Sequence, residues 1–164
     1  MEEKESDLRS HLVGLEKEGL FRWLDREVDK DWEIGAVTRL VFSGVSEQNR
    51  FGIGFSTIRG YPGTRVVVGV VGGSKLILSR ILGVEPDAHQ IHARWSESQT
   101  RPIPPKLVTS GSCKENIIKG ADVNLLKLPT PVWSPGKDAG PYLTPLWITQ
   151  DPSGEARNVG MVSR

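Results

Sequence analysis

An α/β domain followed by the opening of an all-β region is what this sequence predicts, and three observations carry the expectation. Helical periodicity and runs of strand formers alternate along the first hundred residues. A proline-rich connector, "TRPIPPK", occupies residues 100–106. Beyond it the chain is punctuated by Pro and Gly and reads as strands and turns, too few to close a sheet or barrel. The chain therefore divides into residues 1–105 and 106–164.

The elements follow in order. Leu8, Leu12 and Leu15 form an apolar stripe along a first helix, with Ser6 as its expected N-cap, Asp7 beside the positive end of the dipole, and Gly19 as its close. Ile34, Val37 and Val41 repeat the pattern in a second helix, capped by Asp31 and stopped at Gly44. Strands are expected at "RFGIGFSTI" and "TRVVVGVVG", joined by the turn "RGYPG". The near-continuous valine run suits a strand buried on both faces. Short helices are expected from Ser74 to Gly83 and from Pro86 onward. Past the connector, "KLVTSGSCKENIIKG" reads as a strand or two with turns. "PYLTPLWITQ" and the segment from Asn158 read as the arms of a hairpin. Its tip is "DPSG": Pro152 presets φ and Gly154 accepts the positive φ that follows. A return strand with nothing beyond it leaves a row of unpaired backbone groups.

Composition narrows the function classes. With 37% apolar and 25% charged residues the chain is globular rather than disordered. A formal net charge of +1 provides no global field for nucleic acid or an anionic membrane. The single cysteine, Cys113, excludes an internal disulfide framework and any multi-cysteine metal site, and is expected to be a small buried hydrophobe. The acidic start "MEEKESD" is unlike a targeting peptide, and no apolar run approaches the ~20 residues of a membrane span, so a cytoplasmic location is expected.

Three features resemble sites and are read otherwise. "GVVGGSK" looks like a phosphate-binding loop, but Gly69, Gly72 and Gly73 have the wrong spacing and Ser74 precedes Lys75, so tight strand-to-helix packing with a Ser cap is expected. His89 and His92 lie three apart on one helical face without a third ligand, which points to a solvated or capping role. Trp133 and Trp147 suit either a pocket for a flat ring or ordinary packing.

The last fifty residues carry more. "CKENIIKGADVNLLKLPTP" followed by "DAGPYLTPLWITQDPSGEARNVGM" resembles the UbiD family of reversible decarboxylases, with its L-x-x-L-P-x-P stretch, its Asp-x-Gly-x-Tyr-x-Thr segment and a hairpin ending Asn-Val-Gly. The N-terminal "DLRSHLVGLEKEGLFRWLDREVDKDWEIGAVTRLVF" is similar to the family's opening helix, Glu-Val-Asp strand and second helix. The resemblance implies an N-terminal α/β domain, then the first strands of a split β-barrel of the FMN-binding type. It implies decarboxylation of an aromatic or α,β-unsaturated carboxylic acid, with prenylated FMN as electron sink. It also implies Mn2+, with K+ nearby, tying the cofactor phosphate to the protein. A homo-oligomer and a flavin prenyltransferase that supplies the cofactor follow as partners.

Carried over by motif, Asn158 is the expected metal ligand, and Gly160, Met161 and Val162 the residues along the flavin. The family's catalytic arginine stands five positions after that Asn, where this chain has Ser163; Arg164 comes one later. Either a local bulge brings Arg164 into the role or the segment has diverged. An arginine fork clamps a carboxylate through two contacts, and a serine does not. The resemblance further implies that this is the front part of a longer enzyme, inactive alone, whose other metal ligands (a His and a Glu) and two catalytic glutamates lie downstream. The other hypothesis is a non-catalytic binding or assembly module.

Overall fold

A computed structural model describes residues 7–104 and 106–161. Helix α1 (Leu8–Lys17) starts at Asp7, whose carboxylate accepts from the Ser10 N–H at 2.8 Å while the Asp7 N–H donates to Ser10 Oγ. The cap is therefore Asp7 and not Ser6, because the reciprocal partner, Ser10, lies three residues after Asp7. The chain leaves α1 through Gly19 at φ +73° and enters β1 (Phe21–Val28).

Helix α2 (Glu33–Gly44) is not capped by Asp31. The Asp31 N–H donates to Asp29 Oδ1, and the Glu33 carboxylate reaches back to accept the Asp29 N–H at 2.8 Å. The Asp29 carbonyl accepts the first helical N–H groups, of Glu33 at 2.9 Å and Ile34 at 3.4 Å, and Trp32 stands at the cap position without a side-chain bond.

Strand β2 (Gly52–Ile58) runs parallel to β1, with α2 as the crossover that parallel strands require. Strand β3 (Val66–Val68) pairs antiparallel on the other side of β2, so the order is β1-β2-β3. Helices α3 (Lys75–Leu82) and α4 (Ala88–Thr100) complete the first region. Ser74 caps α3 and Gly83, at φ +68°, closes it, both as the sequence predicts; Asp87 caps α4.

Two apolar clusters cover the two sheet faces. Leu15, Phe21, Val70 and Ile77 join α1 and α3 to one face; Val28, Ile34, Val41, Ile53, Phe55 and Ile58 join α2 to the other. Glycines make the first possible. Phe21 pairs with Gly52 and Trp23 with Gly54, and a Cβ at Gly54 would stand 2.4 Å from the Trp23 ring and 2.7 Å from that of Phe21. The two rings meet edge to face, centroids 5.0 Å apart.

The valine run corrects one expectation. Only Val66–Val68 form a strand, it lies at the sheet edge, and its residues are half-buried; Val71 is 59% exposed. Gly69 ends the strand at φ +73°, and a side chain there would enter the Phe42 ring, 2.2 Å from its Cζ.

Beyond residue 105 the expected strands in "KLVTSGSCKENIIKG" are replaced by an exposed 3-10 turn at Ser112–Lys114, and two more follow at Gly120–Asp122 and Leu125–Lys127. With no adjacent strand to pair with, these backbone groups take local i→i+3 bonds. Cys113 is exposed, not buried, because it rides on the first of these turns. Regular pairing returns in β4 (Leu146–Gln150) and β5 (Arg157–Met161), an antiparallel hairpin. No helix among the described residues is long and apolar enough to cross a membrane.

Candidate functional site

The hairpin turn is built as its residues predict. Gly154 sits at φ +81° and its N–H donates to the Asp151 carbonyl at 3.0 Å. The Asp151 carboxylate accepts from the Ser153 hydroxyl and from the Ala156 N–H. Those two bonds, the hydroxyl first, hold its carboxyl below the usual aspartate range. Gln150 Nε2 adds a bond to the Gly154 carbonyl at 2.9 Å.

Register then decides the two faces. Asn158 stands opposite Thr149 and Gly160 opposite Trp147, and the period of two puts these four on one side. Leu146, Ile148, Val159 and Met161 share the other, at 70, 76, 60 and 71% exposure. One face therefore carries an amide, a hydroxyl, an indole and a bare glycine; the other is aliphatic and open at these four residues, with Gln150 and Arg157 at its turn end.

On the first face stand together the expected metal ligand, Asn158, and one expected flavin neighbour, Gly160. The Asn158 carboxamide provides a neutral oxygen of the hard type Mn2+ accepts. At Gly160 a Cβ would meet nothing closer than Asn158 Nδ2, 3.7 Å away, so the backbone is approachable by a flat ring. Met161 projects from the opposite face, so any contact it makes to a ring on the Asn158 side runs through its backbone. Val162, Ser163 and Arg164 lie outside the described residues. Sequence reasoning did not find that Trp147 and Thr149 share the Asn158 face; counting the ladder outward from the turn would have found both.

The other candidates resolve as packing or solvent. Ser74 Oγ accepts from the Ile77 N–H, the Gly73 N–H donates to the Gly69 carbonyl, and the Glu47 carboxylate takes the Lys75 N–H at 2.5 Å. A carboxylate thus sits at the α3 N-terminus, where a phosphate loop would hold its ligand. His89 and His92 are exposed on α4, and no group of three or more His, Cys, Asp or Glu side chains poised for a metal occurs among the described residues. Trp133 packs against the α2-side cluster. An open cleft of about 350 Å³ between α3 and α4 is lined by Ile81, Leu82 and Ile103, with Arg94 and Arg101 both paired to Glu97.

Residues 106–163 match the family model described as 3-octaprenyl-4-hydroxybenzoate carboxy-lyase Rift-related domain, UbiD. The whole chain is similar to solved UbiD-class structures. Vanillic acid decarboxylase of Sedimentibacter hydroxybenzoicus is 28% identical, with a TM-score of 0.84 over 98% of this chain and 36% of its own. The UbiD-class enzyme HmfF of Pelotomaculum thermopropionicum, in an evolved dimeric form in complex with prFMN, is 29% identical, with a TM-score of 0.80 over 95% of this chain and 35% of its own. The 3,4-dihydroxybenzoic acid decarboxylase of Klebsiella pneumoniae is 27% identical, with a TM-score of 0.82 over 97% of this chain and 34% of its own. This chain thus spans about a third of the length of each.

Proposed function

This chain belongs to the UbiD family, and from that premise we propose that it forms the α/β layer and the metal-bearing hairpin of a reversible carboxy-lyase. The substrate class is an aromatic or α,β-unsaturated carboxylic acid and the cofactor is prenylated FMN. The observation that carries the reading is the pairing of Asn158 with Gly160 on one face of β5, within the matched residues. Two similar structures are decarboxylases of aromatic acids and a third holds prFMN, which supports the same reading.

Within it, the Asn158 carboxamide oxygen is one ligand to Mn2+, with K+ as a neighbouring ion. A single neutral oxygen does not hold a hard divalent ion, so the phosphate and further oxygens complete the set. Gly160, Met161 and Val162 border the flavin, the first through bare backbone. If Arg164 takes the role that the family gives an arginine one position earlier, its guanidinium would pair with the substrate carboxylate and orient it. When bound, prenylated FMN supplies the electron sink for the pair released as CO2 departs. The working enzyme is, on this proposal, a cytoplasmic homo-oligomer that receives its cofactor from a flavin prenyltransferase.

A non-catalytic assembly module is the second reading, favoured by the open aliphatic face of Leu146, Ile148, Val159 and Met161. One experiment separates the two. The full reading frame is expressed with Asn158 and with Asn158→Ala, and manganese content and flavin absorbance are measured after purification. We expect the substitution to reduce retention of both at least roughly tenfold, since a lost ligand weakens the ion more than a lost supporting bond does. Unchanged retention removes the ligand assignment. A parent protein that takes up neither group favours the assembly module.

A further inference from the structure

After residue 105 the chain lies open to solvent except at one crossing. Residues 106–128 are exposed, and Pro131 is the one buried residue among the described residues 106–161. At the crossing, the backbone passes over α2 at Gly35. A Cβ on Gly35 would stand 2.8 Å from the Trp133 carbonyl oxygen and 3.4 Å from that of Val132, contacts with backbone that cannot simply rotate aside. Gly35 lies inside a helix, where its positive-φ freedom is unused and where Ala is intrinsically preferred. Close approach, not backbone conformation, is what this glycine provides.

Two further contacts converge there. Arg39, one turn along α2, donates from Nη2 to the same Trp133 carbonyl at 3.4 Å. Trp133 packs against the buried cluster that contains Ile34, Val41 and Phe55. The chain is then locked by a turn: the Ser134 N–H donates to the Asp138 carboxylate at 2.7 Å, and the Lys137 and Asp138 N–H groups donate to the Ser134 carbonyl at 2.9 Å.

We propose that residues 129–138 form a clasp seated in the Gly35 notch, and that this clasp holds the hairpin-bearing region to the α/β layer. It rests on contacts within this chain and does not depend on the decarboxylase reading. Two substitutions attack it from opposite sides. Gly35→Ala places a methyl in the notch while favouring the helix it sits in; Trp133→Ala removes the packed ring and leaves α2 untouched.

The test is hydrogen exchange by mass spectrometry on the full 164-residue chain. In both variants the amides of residues 134–138 are expected to exchange roughly tenfold faster, as local opening of a weakened segment requires. Those of β2 and α3 are expected to stay slow. Limited proteolysis within residues 106–128 should accelerate in parallel. Unchanged exchange at 134–138 in both variants overturns the clasp. So does a faster rate at 134–138 that appears only together with equal loss of protection in β2, because the crossing would then be part of the core and not a separable fastening.

Discussion

Gly54 shows how much a single absent methyl decides. Strand interiors disfavour glycine, yet "FGIGF" places two of them opposite the aromatic residues of β1. The Trp23 ring occupies the space a Gly54 side chain would fill. Gly54→Ala is expected to destabilise the protein by about 1–3 kcal/mol through overpacking. A urea midpoint shift checks this, and Trp23→Leu in the same chain should recover part of the loss. A midpoint that does not move would mean that the ring relocates freely and that the edge-to-face pair with Phe21 contributes little. In the hairpin, the return strand through Asn158 and Gly160 was legible because turn and strand share one short segment. Their cross-strand neighbour Trp147 lies outside that segment and follows only when the ladder is counted out from the turn.

At the level of the element, the start of α2 is an electrostatic device. The Glu33 carboxyl is held below the usual range, first by the Asp29 N–H and then by Arg26, which it meets at 2.7 Å. A depressed carboxyl contributes stability that is present above its unfolded value, about 4.3, and is lost as pH falls through the folded value. The thermal midpoint should therefore fall as pH drops from about 5 toward 3. Glu33→Gln should lower the midpoint near neutral pH and flatten that fall. Parallel curves for the two proteins would assign the acid sensitivity to other carboxylates such as Asp7, which is also depressed, chiefly by the Ser10 N–H. The expected Asp31 cap failed here because the Asp29 backbone carbonyl takes the first helical donors, the N–H groups of Glu33 and Ile34.

Across the whole molecule, protection against exchange should be uneven. The β1-β2-β3 sheet and its helices bury both clusters, while the hairpin exposes every residue of β4. Slow exchange is expected through β2 and fast exchange through residues 106–128 and the hairpin strands. The hairpin's aliphatic face and free edges form a surface suited to burial against further strands. Slow exchange through β4 and β5 in the isolated chain would show that a second copy has paired with them, and a dependence on protein concentration would confirm it.

What the sequence determined by itself was whatever a few neighbouring residues can settle. The apolar stripes of α1 and α2, the Ser74 and Gly83 ends of α3, and the Asp151–Gly154 turn all arise from interactions within about one helical turn or one loop. The return strand through Asn158, Val159 and Gly160 was legible for the same reason: its residues are contiguous with the turn. Tertiary structure decided the rest. It made β2 the central strand and the valine run an edge, put a 3-10 turn at Ser112–Lys114 where strands were expected, and seated Trp133 on Gly35. Each of those outcomes depends on which distant backbone arrives alongside. The bond from Arg39 to the Trp133 carbonyl joins residues 94 positions apart, and no local propensity encodes a contact across that separation.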